Sequence, residues 1–134
     1  MNPQSYRWKT ITLTGFMPSS LTNLASLSHL YLYGNNLTGT IPGSLCKLHK
    51  LTLCAIVGNK LSGVVPHSIF NLSSLVTLNW VSNYLDGGHP INLGTMLPNL
   101  VFFSVAHKDV TGSIPPSISN CSNLNVLQLE RSNF

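Results

Sequence analysis

LTNLASLSHLYLYGNNLTGTIP, residues Leu21–Pro42, is followed by LCKLHKLTLCAIVGNKLSGVVP, residues Leu45–Pro66, and the second reads as a variation on the first. Leu21, Leu24, Leu27, Leu30, Leu32, Asn35, Leu37, Gly39, Ile41 and Pro42 return 24 residues later as Leu45, Leu48, Leu51, Cys54, Ile56, Asn59, Leu61, Gly63, Val65 and Pro66. A third copy runs through Ile69, Leu72, Leu75, Leu78, Trp80, Asn83, Leu85 and Pro90. A fourth carries one inserted residue near Gly94, then continues through Leu97, Leu100, Phe103, Val105, Val110, Ile114 and Pro115. A fifth runs from Ile118 through Leu127 and Leu129 towards Phe134. A fixed period of this length means one small unit stacked on itself. The expected division is a partial repeat or degenerate cap over 1–20 and an array over 21–134, with repeats near 21–44, 45–68, 69–92, 93–117 and 118–134.

The spacing dictates the unit. In LxLxxN the apolar residues alternate with outward ones, so each coil contributes a strand with one buried face to a parallel sheet. The LxxL spacing upstream suits a short helical or 3₁₀ turn packed behind it. Asn35, Asn59 and Asn83 form a ladder: each amide can satisfy backbone groups of its own turn and of the next coil. The expected fold is therefore an α/β repeat solenoid of about five 24-residue coils, with a parallel sheet on the concave face and short 3₁₀ or irregular convex segments. Strands should centre near Leu30–Leu32, Cys54–Ile56, Leu78–Trp80, Phe103–Val105 and Leu127–Leu129. Four residues break the pattern: Lys108 and Ser132 stand where the ladder calls for Asn, and Trp80 and His89 in apolar slots should strain or loosen their coil.

Composition narrows the function. Charged residues make up 7% of the 134, and seven scattered bases against three acids form no run that would suit nucleic acid. Leu100–Ala106 is the longest mostly apolar stretch, well short of the ~20 residues a membrane span requires, and Met1–Ser20 has no signal-peptide core. Asp86, Asp109 and Glu130 fall at unrelated repeat positions, so no general acid/base pair is expected. The five histidines lack metal-ligand spacing, and the serines lack a nucleophile elbow. No enzyme activity, metal or cofactor is expected. Cys54 and Cys121 occupy Leu slots and read as buried hydrophobes, whereas Cys46 reads as a free convex thiol.

Asn36-Leu-Thr38, Asn71-Leu-Ser73 and Asn120-Cys-Ser122 are N-glycosylation triplets on turn or convex positions, leaning towards a secretory parent protein. The face left for recognition is the outward side of the sheet, where the period of two builds columns. One column is Ser5, His29, Leu53, Thr77, Phe102, Val126; the next is Arg7, Tyr31, Ala55, Asn79, Ser104, Gln128; a third includes Tyr33, Val57 and Val81. From these, His29, Tyr31, Tyr33, Leu53, Val57, Thr77, Asn79, Phe102, Ser104 and Gln128 are the candidate ligand contacts. An aromatic and polar cluster beside apolar ground suits an extended peptide or protein partner. Stacks without polar caps expose core and strand edges, so the uncapped chain is expected to self-associate.

LTGTIP, LSGVVP and VTGSIP at 24-residue spacing resemble the plant-specific class of leucine-rich repeats. PHSIFNLSSLVTLNWVSNYLDG at Pro66–Gly87, LGTMLPNL at Leu93–Leu100 and GSIPPSISNCSNLNVLQL at Gly112–Leu129 resemble the ectodomain repeats of plant receptor-like kinases of the immune-receptor type, the group that includes the flagellin and elongation-factor receptors. The likeness covers about Ser20 to Phe134. It implies an extracellular module, at the plasma membrane or in the apoplast, that binds a peptide or protein, recruits a co-receptor kinase and serves signalling or defence. In that family a cytoplasmic serine/threonine kinase, absent here, does the signalling, and the membrane is reached only through a parent segment. Secreted inhibitors of fungal polygalacturonases share these repeats and are the rival reading, and a truncated remnant without its own partner is a third.

Overall fold

A computed structural model describes residues 5–7, 14–86, 90–107 and 114–131. In chain order the strands are β1 (Ser5–Arg7), β2 (Thr14–Phe16), β3 (His29–Tyr33), β4 (Asn36–Thr38), β5 (Leu53–Val57), β6 (Ser62–Val64), β7 (Thr77–Asn79), β8 (Tyr84–Asp86), β9 (Phe102–His107) and β10 (Val126–Arg131). Short 3₁₀ helices occupy Ser19–Asn23, Gly43–Lys47, His67–Asn71 and Pro116–Asn120, and one α-helical turn, α1, spans Leu93–Met96.

The main sheet is six-stranded and parallel in the order β1-β3-β5-β7-β9-β10. It pairs equivalent repeat positions, His29 with Leu53 and Thr77 with Phe102, so the columns read from the sequence stand in register. A recurring contact fixes the start of each strand. The carbonyls of Ser28, Thr52, Val76 and Val101 each accept two N–H groups of the next coil at 2.7–3.1 Å. Leu30, Leu32, Leu48, Leu51, Leu75, Leu78, Leu97, Leu100 and Phe103 are fully buried in one continuous core. Leu124, Leu127 and Leu129 are only partly buried at its far end.

The Asn ladder does what its chemistry allows. Asn59 donates to the Leu32 carbonyl at 2.9 Å and accepts from the Leu37 N–H at 3.3 Å. Asn83 repeats this one coil on, donating to Ile56 at 2.7 Å and accepting from Leu61 at 3.3 Å. Each buried amide thus serves its own turn, through the Val57 or Val81 carbonyl at 3.3 Å, and the preceding coil rather than the next one expected, where an unpaired backbone group would be costly. Lys108, Ser132 and His89 lie outside the described residues.

Three features differ from expectation. Trp80 is no misfit: it is fully buried, because Cys54 is small at the slot that Leu30 and Leu78 fill in neighbouring coils, and the indole Nε1 donates to its Sγ at 3.3 Å. β7 nevertheless ends at Asn79, although the Trp80 N–H still donates to the Ser104 carbonyl at 2.9 Å and the Val81 carbonyl accepts the Gly58 N–H at 3.2 Å, and Ser82 takes a left-handed φ of 58° where Gly34 and Gly58 stand in the coils before it. Secondly, the segments around the LxG motif are not irregular but form a flank ladder. β2 pairs β4, β6 pairs β8, and Lys60 and Ser62 donate to the Leu37 and Gly39 carbonyls between them. This flank pairs residues 22 apart, Thr14 with Asn36 and Ser62 with Tyr84, while the main sheet pairs Leu30 with Cys54. Thirdly, Ile114, in the slot where Ile41 and Val65 are buried, is 56% exposed.

The inserted residue of the fourth copy converts a 3₁₀ turn into α1, with Leu97 N–H bonded to the Leu93 carbonyl. Gly94 packs so tightly on the following 3₁₀ helix that a Cβ would collide with the Ser117 carbonyl. Its N–H instead takes the Ser117 hydroxyl at 3.1 Å.

Candidate functional site

The outward face of the main sheet carries the candidate contacts. β3 presents His29, Tyr31 and Tyr33 at every second position, all half-buried. Residues two apart on one strand face share the same side, and the two tyrosine rings stack with centroids 6.2 Å apart and planes 24° apart. His29 meets Tyr31 edge-on at 6.4 Å. Next to the tyrosines the sheet dips into an open hollow of about 220 Å³. Its walls are Tyr31, Tyr33, Leu53 and Phe102; Thr77 and Asn79 add the polar groups, and Ala55 lies at the bottom.

The dip has a local cause. In the column Tyr31, Ala55, Asn79, Ser104, Gln128, alanine follows tyrosine, so β5 brings only a methyl between two larger neighbours. Ala55 is only 2% exposed. The amide oxygen of Asn79 accepts from the Val81 N–H at 3.5 Å, a long bond that leaves its NH₂ group without a partner among the described residues. Among the described residues no charged side chain lines the hollow.

Of the ten candidate contacts, the hollow gathers Tyr31, Tyr33, Leu53, Thr77, Asn79 and Phe102. His29 and Val57 flank it, and Gln128 is exposed two strands beyond Asn79. Ser104 is a correction. It is 1% exposed, with its hydroxyl donating to the Gln128 Oε1 at 2.9 Å, so the longer side chain covers the shorter one and Ser104 offers a ligand no surface. Ala55 was visible in the column but not singled out; its small size between two large residues is the signal. Away from this face, Asn36, Asn71 and Asn120 are all exposed, Asn120 donating to Thr95 Oγ1 at 3.3 Å.

The three thiols separate by environment. Cys46 is free and half-buried on the convex side, while Cys54 and Cys121 are buried. Desolvation pushes the Cys54 thiol up to about 12, only partly offset by the Trp80 hydrogen bond, and raises Cys121 by the same cause. Among the described residues no group of three His, Cys, Asp or Glu side chains could hold a metal ion. No helix among them is long and apolar enough to cross a membrane.

Comparison with known proteins agrees with the geometry. The Leucine Rich Repeat family model matches residues 26–48. Comparison with curated protein sequences gives no match. Among solved structures, the ectodomain of the plant membrane receptor kinase GASSHO1/SCHENGEN3 from Arabidopsis thaliana, in complex with CASPARIAN STRIP INTEGRITY FACTOR 2, superposes with a TM-score of 0.81 at 32% identity over 90% of this chain. The plant peptide hormone receptor RGFR1, in complex with RGF2, gives 0.85 at 28% identity over 95%. The BIR2 ectodomain from Arabidopsis thaliana gives 0.75 at 33% identity over 92%. The chain spans 14% of the first of these structures, 20% of the second and 67% of the third. With its 24-residue register, parallel sheet and Asn ladder, the chain belongs to the leucine-rich repeat family, in the class that builds plant receptor kinase ectodomains.

Proposed function

We propose that this chain is a recognition module of the extracellular region of a plant receptor kinase and binds an extended peptide, or a peptide-like segment of a protein, across the outward face of its main sheet. The observation that carries the reading is the hollow between Tyr31, Tyr33 and Phe102, which gathers three aromatic side chains of that face. Aromatic anchors set in a dip are the usual centres of binding energy, while flat polar ground around them excludes water. Length supports the same ligand class. Neighbouring strands lie about 4.8 Å apart, so β3 to β10 spans about 19 Å, roughly six extended residues. Of the similar structures, RGFR1 is a peptide hormone receptor in complex with RGF2, and GASSHO1/SCHENGEN3 is in complex with CASPARIAN STRIP INTEGRITY FACTOR 2, which supports a peptide or protein ligand; a co-receptor is the second partner of this reading. Signalling or defence is the role this implies for the parent protein, with the chain outside the cell.

Selection of a displayed random heptapeptide library on the purified chain tests the reading. Enriched peptides should compete with one another and should perturb NMR signals of Tyr31, Thr77 and Phe102. Enrichment of peptides that perturb only convex residues such as Lys47 and His49 would overturn it.

A further inference from the structure

We infer that the hollow at Ala55 is a socket for one uncharged aromatic side chain of the ligand, and that Ala55 sets this specificity. The inference rests on the recognition reading above and goes further by naming the anchor. Volume is the first argument. About 220 Å³ is below the roughly 300–1,000 Å³ of sites that enclose a small molecule or cofactor, and suits a single side chain entering from an open side.

Lining is the second. Tyr31 and Tyr33 offer stacked rings on one side, and Phe102, three strands from them and two from Ala55, offers a third on the other. An aromatic guest gains ring–ring contacts of about 0.5–1.5 kcal/mol per pair beyond its buried area, which an aliphatic guest does not. With no Lys, Arg, Asp or Glu among the described residues of the lining, a charged guest would lose water without gaining a partner there. The Thr77 hydroxyl and Asn79 NH₂ lie at the rim without partners among the described residues, placed to donate to carbonyls of the ligand backbone as its side chain descends. Depth is the third. β5 alone puts a methyl in this column, and a larger residue at 55 has nowhere to go but into the hollow.

The test uses blocked peptides acetyl-Gly-Ser-Xaa-Ser-Gly-Ser-amide with Xaa Phe, Trp, Pro, Leu, Lys or Glu, titrated against the isotope-labelled chain by NMR. The Phe and Trp peptides should move the Ala55 methyl signal and bind about tenfold more tightly than the Leu, Lys and Glu peptides, a ratio in the range of one good anchor. Ala55→Leu should erase that preference. Thr77→Phe, filling the socket from its half-buried rim, should do the same and serves if the first variant does not fold. Equal binding of Leu or Pro, stronger binding of Lys or Glu, or a preference that survives both variants would overturn the socket. Library peptides that bind the sheet face without an aromatic residue and ignore both substitutions would overturn the socket while leaving the recognition reading intact. Absence of any sheet-face binder would overturn both.

Discussion

Trp80 donates its indole N–H to the sulfur of Cys54 across 3.3 Å in the middle of the core, and each residue departs from the repeat pattern in a way that suits the other. The large ring of one coil occupies space that the small thiol of the preceding coil leaves open. Two substitutions that look like separate blemishes are one packing unit.

That unit predicts non-additive stability. Cys54→Leu alone should overpack the site and cost about 1–3 kcal/mol. Trp80→Leu alone should leave a cavity and cost about 2 kcal/mol or more. The double variant, which restores the ordinary pattern, should recover at least about 1 kcal/mol relative to the sum. Urea unfolding of the four proteins measures this, and strict additivity would show that the two side chains do not share the space.

Burial predicts selective thiol chemistry. At pH 8 iodoacetamide should label Cys46 readily and spare Cys54 and Cys121 until the chain unfolds. Because the folded Cys54 titrates near 12 against an ordinary 9.0, the native chain keeps a proton that the unfolded chain releases. Its contribution is therefore complete below pH 9 and is lost as pH climbs from 9 towards 12. The fall in urea midpoint between pH 8 and pH 10.5 should be smaller in Cys54→Ala than in the parent.

Asn83→Ala should strand the Leu61 N–H and the Ile56 carbonyl inside the protein. At roughly 1–3 kcal/mol for each buried group left without a partner, the loss should be about 2–5 kcal/mol. Asn71→Ala, at an exposed position, should change stability by less than about 0.5 kcal/mol. Chemical denaturation compares them directly.

Ser82 holds a left-handed backbone that its counterparts Gly34 and Gly58 adopt without a side-chain clash. Ser82→Gly should therefore stabilise the chain by about 0.5 kcal/mol, the relief of strain exceeding the added freedom of the unfolded chain. Gly34→Ser should destabilise by about 1 kcal/mol. A lower melting temperature for Ser82→Gly would contradict the backbone argument.

For binding, Tyr31→Ala, Tyr33→Ala and Phe102→Ala should each weaken a sheet-face peptide, with at least one costing about 2 kcal/mol or more. Lys47→Ala and His49→Ala, exposed on the convex side, should leave its dissociation constant within about twofold. Calorimetry with a library-selected peptide gives the comparison.

Whatever depended on one residue per period was legible in the sequence. Leu30 and Leu32 read as buried because they recur, Asn59 and Asn83 read as a ladder, and the three-residue spacing behind the sheet read as tight turns. What depended on a neighbour was not. Ser104 looks outward by parity but is covered by Gln128, and Trp80 looks misplaced until Cys54 is set beside it. The extra residue near Gly94 was plain, yet its conversion of a 3₁₀ turn into an α turn depends on hydrogen bonds across that loop. The flank ladder was hidden because its register does not follow the period of the repeat.

That slipped register gives the molecule two different alphabets. On the main sheet a partner crossing the strands at right angles meets the same consensus position in every coil, as in His29 beside Leu53 beside Thr77. On the flank the same crossing drifts by two positions at each step, so Phe16 stands opposite Thr38 and its ring lies over Gly39, although its counterpart in the repeat is Thr40. Exchanging whole coils by recombination would carry front columns over intact, while every junction on the flank would bring together positions that had never been neighbours. Variation inside a coil can therefore rewrite the front one letter at a time, whereas the flank changes only in diagonal phrases.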